Sequence, residues 1–196
     1  MAPADRYAPA DPYRYVKGQK VTIETISKLD VACRQLDTAI TLWFRECDPI
    51  SIHLLACSSH QIISDIIHHR GGRDPLFDSP YIKPGFKDVA KRHFHKHYNF
   101  FKHANRDPNG SIEFNPSAPQ YFIVNSILGL EQLNVKHNLL RTAFFLYCGF
   151  HNPELMQENG LKSFRKDFHI DILPELKLSR RDFFKKFEQA LLGTKG

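Results

Sequence analysis

VTIETISKLDVACRQLDTAITLWFRECDPISIHLLACSSHQIISDIIHHRGG, residues 21–72, decides the fold. In its first half Ile26, Leu29, Cys33, Leu36, Ile40 and Trp43 recur at alternating spacings of three and four. That rhythm puts them in one stripe on a helix, and a seven-residue repeat is what antiparallel bundles bury. It predicts a helix over about 22–46. Asp48-Pro49 then reads as an N-cap followed by a first helical proline. A second helix runs from Pro49 to about Arg70, burying Ile52, Leu55, Ala56, Ser59, Ile62, Ile63, Ile66 and Ile67, and Gly71-Gly72 ends it.

The rest of the chain has the same character. Pro75, Pro80 and Pro84 keep 71–84 out of a helix. A third helix is expected over about 85–105, with Phe86, Val89, Ala90, Phe94, Phe100, Phe101 and Ala104 on its apolar face. Asp107-Pro-Asn-Gly110 is a turn, and Ile112 to Phe114 a short extended piece. Further helices follow over about 118–134 and 137–150, the latter broken by Asn152-Pro153. A last one, about 180–192, opens with Ser179 and Asp182 in a capping-box pattern and carries Phe183, Phe184, Phe187 and Leu191. This is an all-α bundle of about five helices plus a C-terminal helix. Residues 1–20, with Ala-Pro-Ala-Asp written twice and few aliphatics, read as a flexible arm. The expected division is that arm, a bundle over 21–158, and a C-terminal extension over 159–196.

At 196 residues and 42% hydrophobic content the chain can bury a core without staples. Cys33, Cys47, Cys57 and Cys148 lack metal or redox spacing, and three of them fall in helical segments as small apolar residues. The N-terminal stretch has no apolar segment of a secretory signal, and no run approaches a membrane span, so the expectation is a cytoplasmic chain with no membrane contact. A net charge of +6 favours a polyanionic partner such as RNA.

The chemistry concentrates in Arg92-His-Phe-His-Lys-His-Tyr-Asn-Phe-Phe-Lys-His-Ala-Asn-Arg-Asp107. At about 100° per residue, Arg92, Lys96, Asn99 and His103 share a stripe about 60° wide, whereas His93 and His97 point toward the apolar face. Imidazole exchanges protons near neutral pH, Arg and Lys hold phosphate, and Asn orients either, so Arg92, Asn99 and His103 suit metal-free phosphodiester cleavage. Lys96, Lys102 and Arg106 are additional phosphate-binding candidates. A different reading is a zinc or iron site. His53 and His60, seven apart, share a stripe at the border of the second helix's apolar face, and His93 and His97 share one on the third. The four would meet if those stripes faced each other. A third reading is a binding or adaptor protein without activity.

Tyr98-Asn-Phe-Phe-Lys-His103 resembles the signature of HEPN-domain proteins, which is Arg, then Asn, Asp or His, three residues, then His. In this frame Asn99 and His103 match and Tyr98 stands in place of Arg. A second frame, Arg92-His93-Phe-His-Lys-His97, matches throughout. The resemblance implies a short helical bundle, a homodimer, and a ribonuclease of bacterial defence or toxin type whose Arg and His residues from both subunits share one site. Ser27-Lys-Leu-Asp30, Asp48-Pro-Ile-Ser-Ile-His53 and Asn99 to Pro108 are also similar to a family of uncharacterised bacterial helical proteins, which implies no activity.

Overall fold

The structure is a computed structural model that describes residues 24–78, 87–105, 107–151 and 177–193. The expected arm, Arg106, the side chains of Val89, Ala90, His93 and Phe94, and the break at Asn152-Pro153 lie outside what it describes. Among the described residues there are six helices: α1 (Lys28–Phe44), α2 (Pro49–His69), α3 (Lys87–Lys102), α4 (Ala118–Gln132), α5 (Leu139–His151) and α6 (Arg180–Gly193). The protein is an all-α bundle.

α1 begins at Lys28, later than its apolar rhythm predicts, because Ser27 and Asp30 close a capping box. The Asp30 amide donates to Ser27 Oγ at 3.1 Å and the Ser27 amide to Asp30 Oδ2 at 3.2 Å. This satisfies two amides that a longer helix would have to find partners for. Ile26 is thereby left outside the helix and exposed. Replacing Ser27 by Ala removes the cap acceptor and is expected to cost about 1 kcal/mol, read as a lower urea midpoint with unchanged slope.

α2 starts as expected, with Asp48 Oδ2 accepting from the Ser51 amide at 2.8 Å. It is the central helix, packing along α1 and α4 and, over a shorter stretch, α3. Gly129 sets the approach of α4. A Cβ there would lie 2.6 Å from Ile63 Cγ2 and 3.2 Å from Ile67 Cδ1, so only glycine lets the two backbones come this close. Ser59 Oγ donates to the Ala32 carbonyl at 2.8 Å, tying α2 to α1 where both are buried. α2 is also long and apolar enough by composition to cross a membrane, and half of that stretch is buried inside the bundle.

α5 and α6 close the opposite end. Phe44 stacks on Phe184 at 4.9 Å and Phe183 at 5.6 Å, and meets Phe144 and Tyr147 edge-on. The Tyr147 hydroxyl donates to the Leu178 carbonyl at 2.9 Å, and Ser179 and Asp182 cap α6 as the sequence suggests. The last helix therefore docks into the aromatic core. Arg141, 4% exposed, sends two hydrogen bonds to the Asp37 carboxylate at 2.7 and 3.1 Å, a planar pairing that neutralises a buried guanidinium between α5 and α1.

Candidate functional site

α3 has two chemically different faces. On its outer face Lys96, Asn99, Phe100 and His103, spaced three, four and seven along the chain, line one open groove of about 570 Å³. Asn105, Asp107 and Ile112 continue the lining past the helix end. The helix stops at Lys102, and the chain bends so that the turn Asp107-Pro-Asn-Gly110, closed by the Gly110 amide on the Asp107 carbonyl at 2.8 Å, comes alongside it. Lys96, Asn99 and His103 are exposed, so their polar groups are available to a ligand. A cation, an amide and an imidazole along one groove can hold a phosphate and exchange a proton beside it. Arg92 is exposed, but the groove lining begins at Lys96, one turn further on. Lys102 leans over the Tyr98 ring at 3.8 Å, a cation–π contact.

The inner face of α3 meets α2 through imidazoles. His53 and His60 are each 1% exposed. The His53 ring is edge-on to His97 at 6.1 Å and is walled by Phe101, Phe114 and Phe122. Its Nε2 lies 3.4 Å from Cys57 Sγ. Burial pushes the Cys57 thiol up, so it keeps its proton, and the pair shares one hydrogen bond whose direction follows the His53 tautomer. Burial, reinforced by His97 and His95, lowers His53 to about 4. His60 is enclosed by Phe77 and Phe122, and burial holds its imidazole below the ordinary range against the pull of Asp74, whose Oδ2 is 3.5 Å from Nε2. At that separation the two are close but lack hydrogen-bond geometry, and among the described residues both His60 ring nitrogens are without a hydrogen-bond partner. His95 lies against the other side of the seam, tilted on Phe77 at 5.3 Å and lowered by burial and then Lys91.

The structure thus brings together Lys96, Asn99 and His103 of the expected phosphodiester site. His97 points inward, as its place on the helix implies, and donates Nε2–H to the Glu113 carbonyl at 2.8 Å. The fully matching frame from Arg92 to His97 therefore ends on a histidine engaged in the seam, not in the groove. Ala104, expected on the apolar face, is exposed because the helix has already ended. His53 and His60, expected at the border of α2's apolar face, are fully buried because α3 and Phe77 cover that border. The two histidine stripes do face each other at His53 and His97. Among the described residues, however, no group of three or more His, Cys, Asp or Glu side chains is placed to hold a metal ion.

Asp74 and Phe77 are the members that a sequence reading passes over. Asp74 Oδ1 accepts from the Leu76 and Phe77 amides at 2.8 and 2.7 Å, fixing a turn that presents Phe77 to His60 and His95. The signal was Asp74-Pro75, the same pair as Asp48-Pro49, inside a stretch whose prolines otherwise mark a connector. Comparison with known proteins adds nothing to this picture: no family model, curated protein or solved structure matches the chain.

Proposed function

We propose that the chain binds single-stranded RNA along the outer face of α3 and cleaves it without a metal ion. The observation that supports this is the shared groove of Lys96, Asn99 and His103. In this reading His103 takes a proton from the attacking hydroxyl or returns one to the leaving oxygen, Lys96 and Arg92 hold the phosphate and its developing charge, and Asn99 orients it. Phe100 offers a ring on which a base can stack, which favours an unpaired strand. Lys102 extends the cationic margin, and a second copy of the chain would supply a matching set, as the HEPN resemblance implies.

The test is cleavage of mixed single-stranded and structured RNA in EDTA, by wild type and His103→Ala side by side. The expected result is EDTA-resistant cleavage that falls at least ~100-fold in the variant, with an unchanged circular dichroism spectrum. Cleavage that survives the substitution intact removes His103 from the mechanism. RNA binding without cleavage in either protein leaves a non-catalytic binding module of the same fold.

A further inference from the structure

The groove that takes RNA in the reading above also contains a carboxylate. Asp107 is exposed and lines the groove beyond His103, with Asn105 and Ile112 beside it. Its backbone carbonyl closes the turn to Gly110, so the turn is held without the side chain. The carboxylate itself lies over Gly110: a Cβ there would stand 2.8 Å from Asp107 Oδ2 and 3.1 Å from Cγ. Neither carboxylate oxygen has a hydrogen bond or ion pair with another described residue. The groove is therefore polarised, with Lys96 on the helix, His103 at its end and the Asp107 carboxylate beyond.

A carboxylate repels phosphate, so that end of the groove is unsuited to the backbone of a polyanion. What RNA carries that a carboxylate can accept from is the edge of a base. The four bases differ there. The Watson–Crick edge of guanine presents two adjacent donors, N1–H and the exocyclic amine, which match the two oxygens of one carboxylate. Adenine and cytosine present an amine next to an acceptor nitrogen, and uracil one N–H between two carbonyls, so the second oxygen meets a lone pair in each. Phe100 provides an apolar surface along the same groove, and about 570 Å³ lies in the range of sites for one small ligand.

We infer that Asp107 selects guanine: the groove takes single-stranded RNA with a guanine edge on the Asp107 carboxylate, its ring against Phe100, and a neighbouring phosphate at Lys96 and His103. This rests on the RNA reading of the groove. Asp107 is a specificity residue here and takes no part in bond cleavage.

The experiment is fluorescence anisotropy of the full chain with labelled 2′-O-methyl octamers, which cannot be cut through the 2′-hydroxyl. Each is oligouridine with one central uridine, guanine, adenine, cytosine or inosine. Wild type is expected to bind the guanine octamer about tenfold more tightly than the uridine, adenine or cytosine octamers, with inosine, which keeps N1–H and lacks the amine, in between. In Asp107→Asn the preference should collapse to about twofold or less while affinity for oligouridine stays level or rises, since a negative charge has gone. Gly110→Ala, which displaces the carboxylate without removing it, should also narrow the preference. Binding without base preference, or a guanine preference that Asp107→Asn leaves intact, overturns the assignment while the RNA reading stands. If no octamer binds, the RNA reading and this inference fall together.

Discussion

Between pH 7 and pH 4.5 the amides of α3 are expected to lose protection from hydrogen exchange before those of α1. The seam between α2 and α3 is built from imidazoles held neutral. His53 falls from an ordinary 6.5 to about 4, chiefly through burial, and His60 and His95 are lowered in the same direction. A group whose folded pKa is depressed in this way binds its proton more readily once exposed. The resulting stabilisation is complete above about pH 6.5 and drains away as pH falls toward 4, where His53 alone accounts for about 3 kcal/mol. The charged groups around the seam act in opposite senses: Lys91 holds His60 and His95 down and Lys102 adds to this at His95, whereas Asp74 pulls both up, as Asp65 does for His60. A proton added to His53 or His95 meets mostly like charge, whereas at His60 the Asp74 carboxylate offsets part of the cost of burial. α1 is joined to α2 by apolar contacts and the Ser59 bond, which do not titrate. Exchange measured segment by segment, corrected for the intrinsic rate at each pH, checks this. One common midpoint for α1 and α3, or an α3 that stays protected at pH 4.5, would count against the seam as the acid-labile element.

Phe44→Ala is expected to destabilise the chain by about 3–5 kcal/mol. Its ring is fully buried and stands in contact with Trp43, Phe144, Tyr147, Phe183 and Phe184. The parallel pairing with Phe184, 4.9 Å apart and tilted by 1°, joins α1 to α6. Truncation removes the transfer energy of one ring and leaves its neighbours facing a hole that three helices would have to move to fill. Urea denaturation followed by far-ultraviolet circular dichroism provides the number. A loss below about 1.5 kcal/mol would mean that α5 and α6 can collapse onto α1 without it.

The outline of this fold could be read from residues 21–72, and its errors are informative. Asp48-Pro49 placed the start of α2 correctly because a cap and a proline act locally, within one turn. The start of α1 was displaced because an apolar period continues past the point where hydrogen bonding stops. Ser27 and Asp30 decide the boundary, and Ile26 merely keeps the rhythm. The stripe of Lys96, Asn99 and His103 was legible because Lys96 and Asn99 lie on α3 and His103, the next residue past its end, still donates its amide to the Asn99 carbonyl at 3.1 Å, so 100° per residue is enough geometry. The burial of His53 and His60 was not. It depends on how many neighbours α2 has, and one of them is Phe77, delivered by a turn from a proline-rich stretch. Asp107 likewise belongs to the groove only because the chain folds back after Lys102, a long-range fact with no periodic signature.

Trp43 is the chain's single tryptophan, and its position gives the protein a built-in optical probe with a narrow field of view. The indole is edge-on to Phe144 at 4.8 Å and to Tyr147 at 5.8 Å, and the Arg180 guanidinium sits 4.6 Å above it. Its emission will therefore register the arrival and departure of α6, whose first residue carries that guanidinium. The groove and the imidazole seam belong to α2 and α3, and among the described residues the indole's ring and cation contacts are with Phe44, Phe144, Tyr147 and Arg180. A fluorescence titration of this chain will report on the docking of its last helix and stay dark to events at its third.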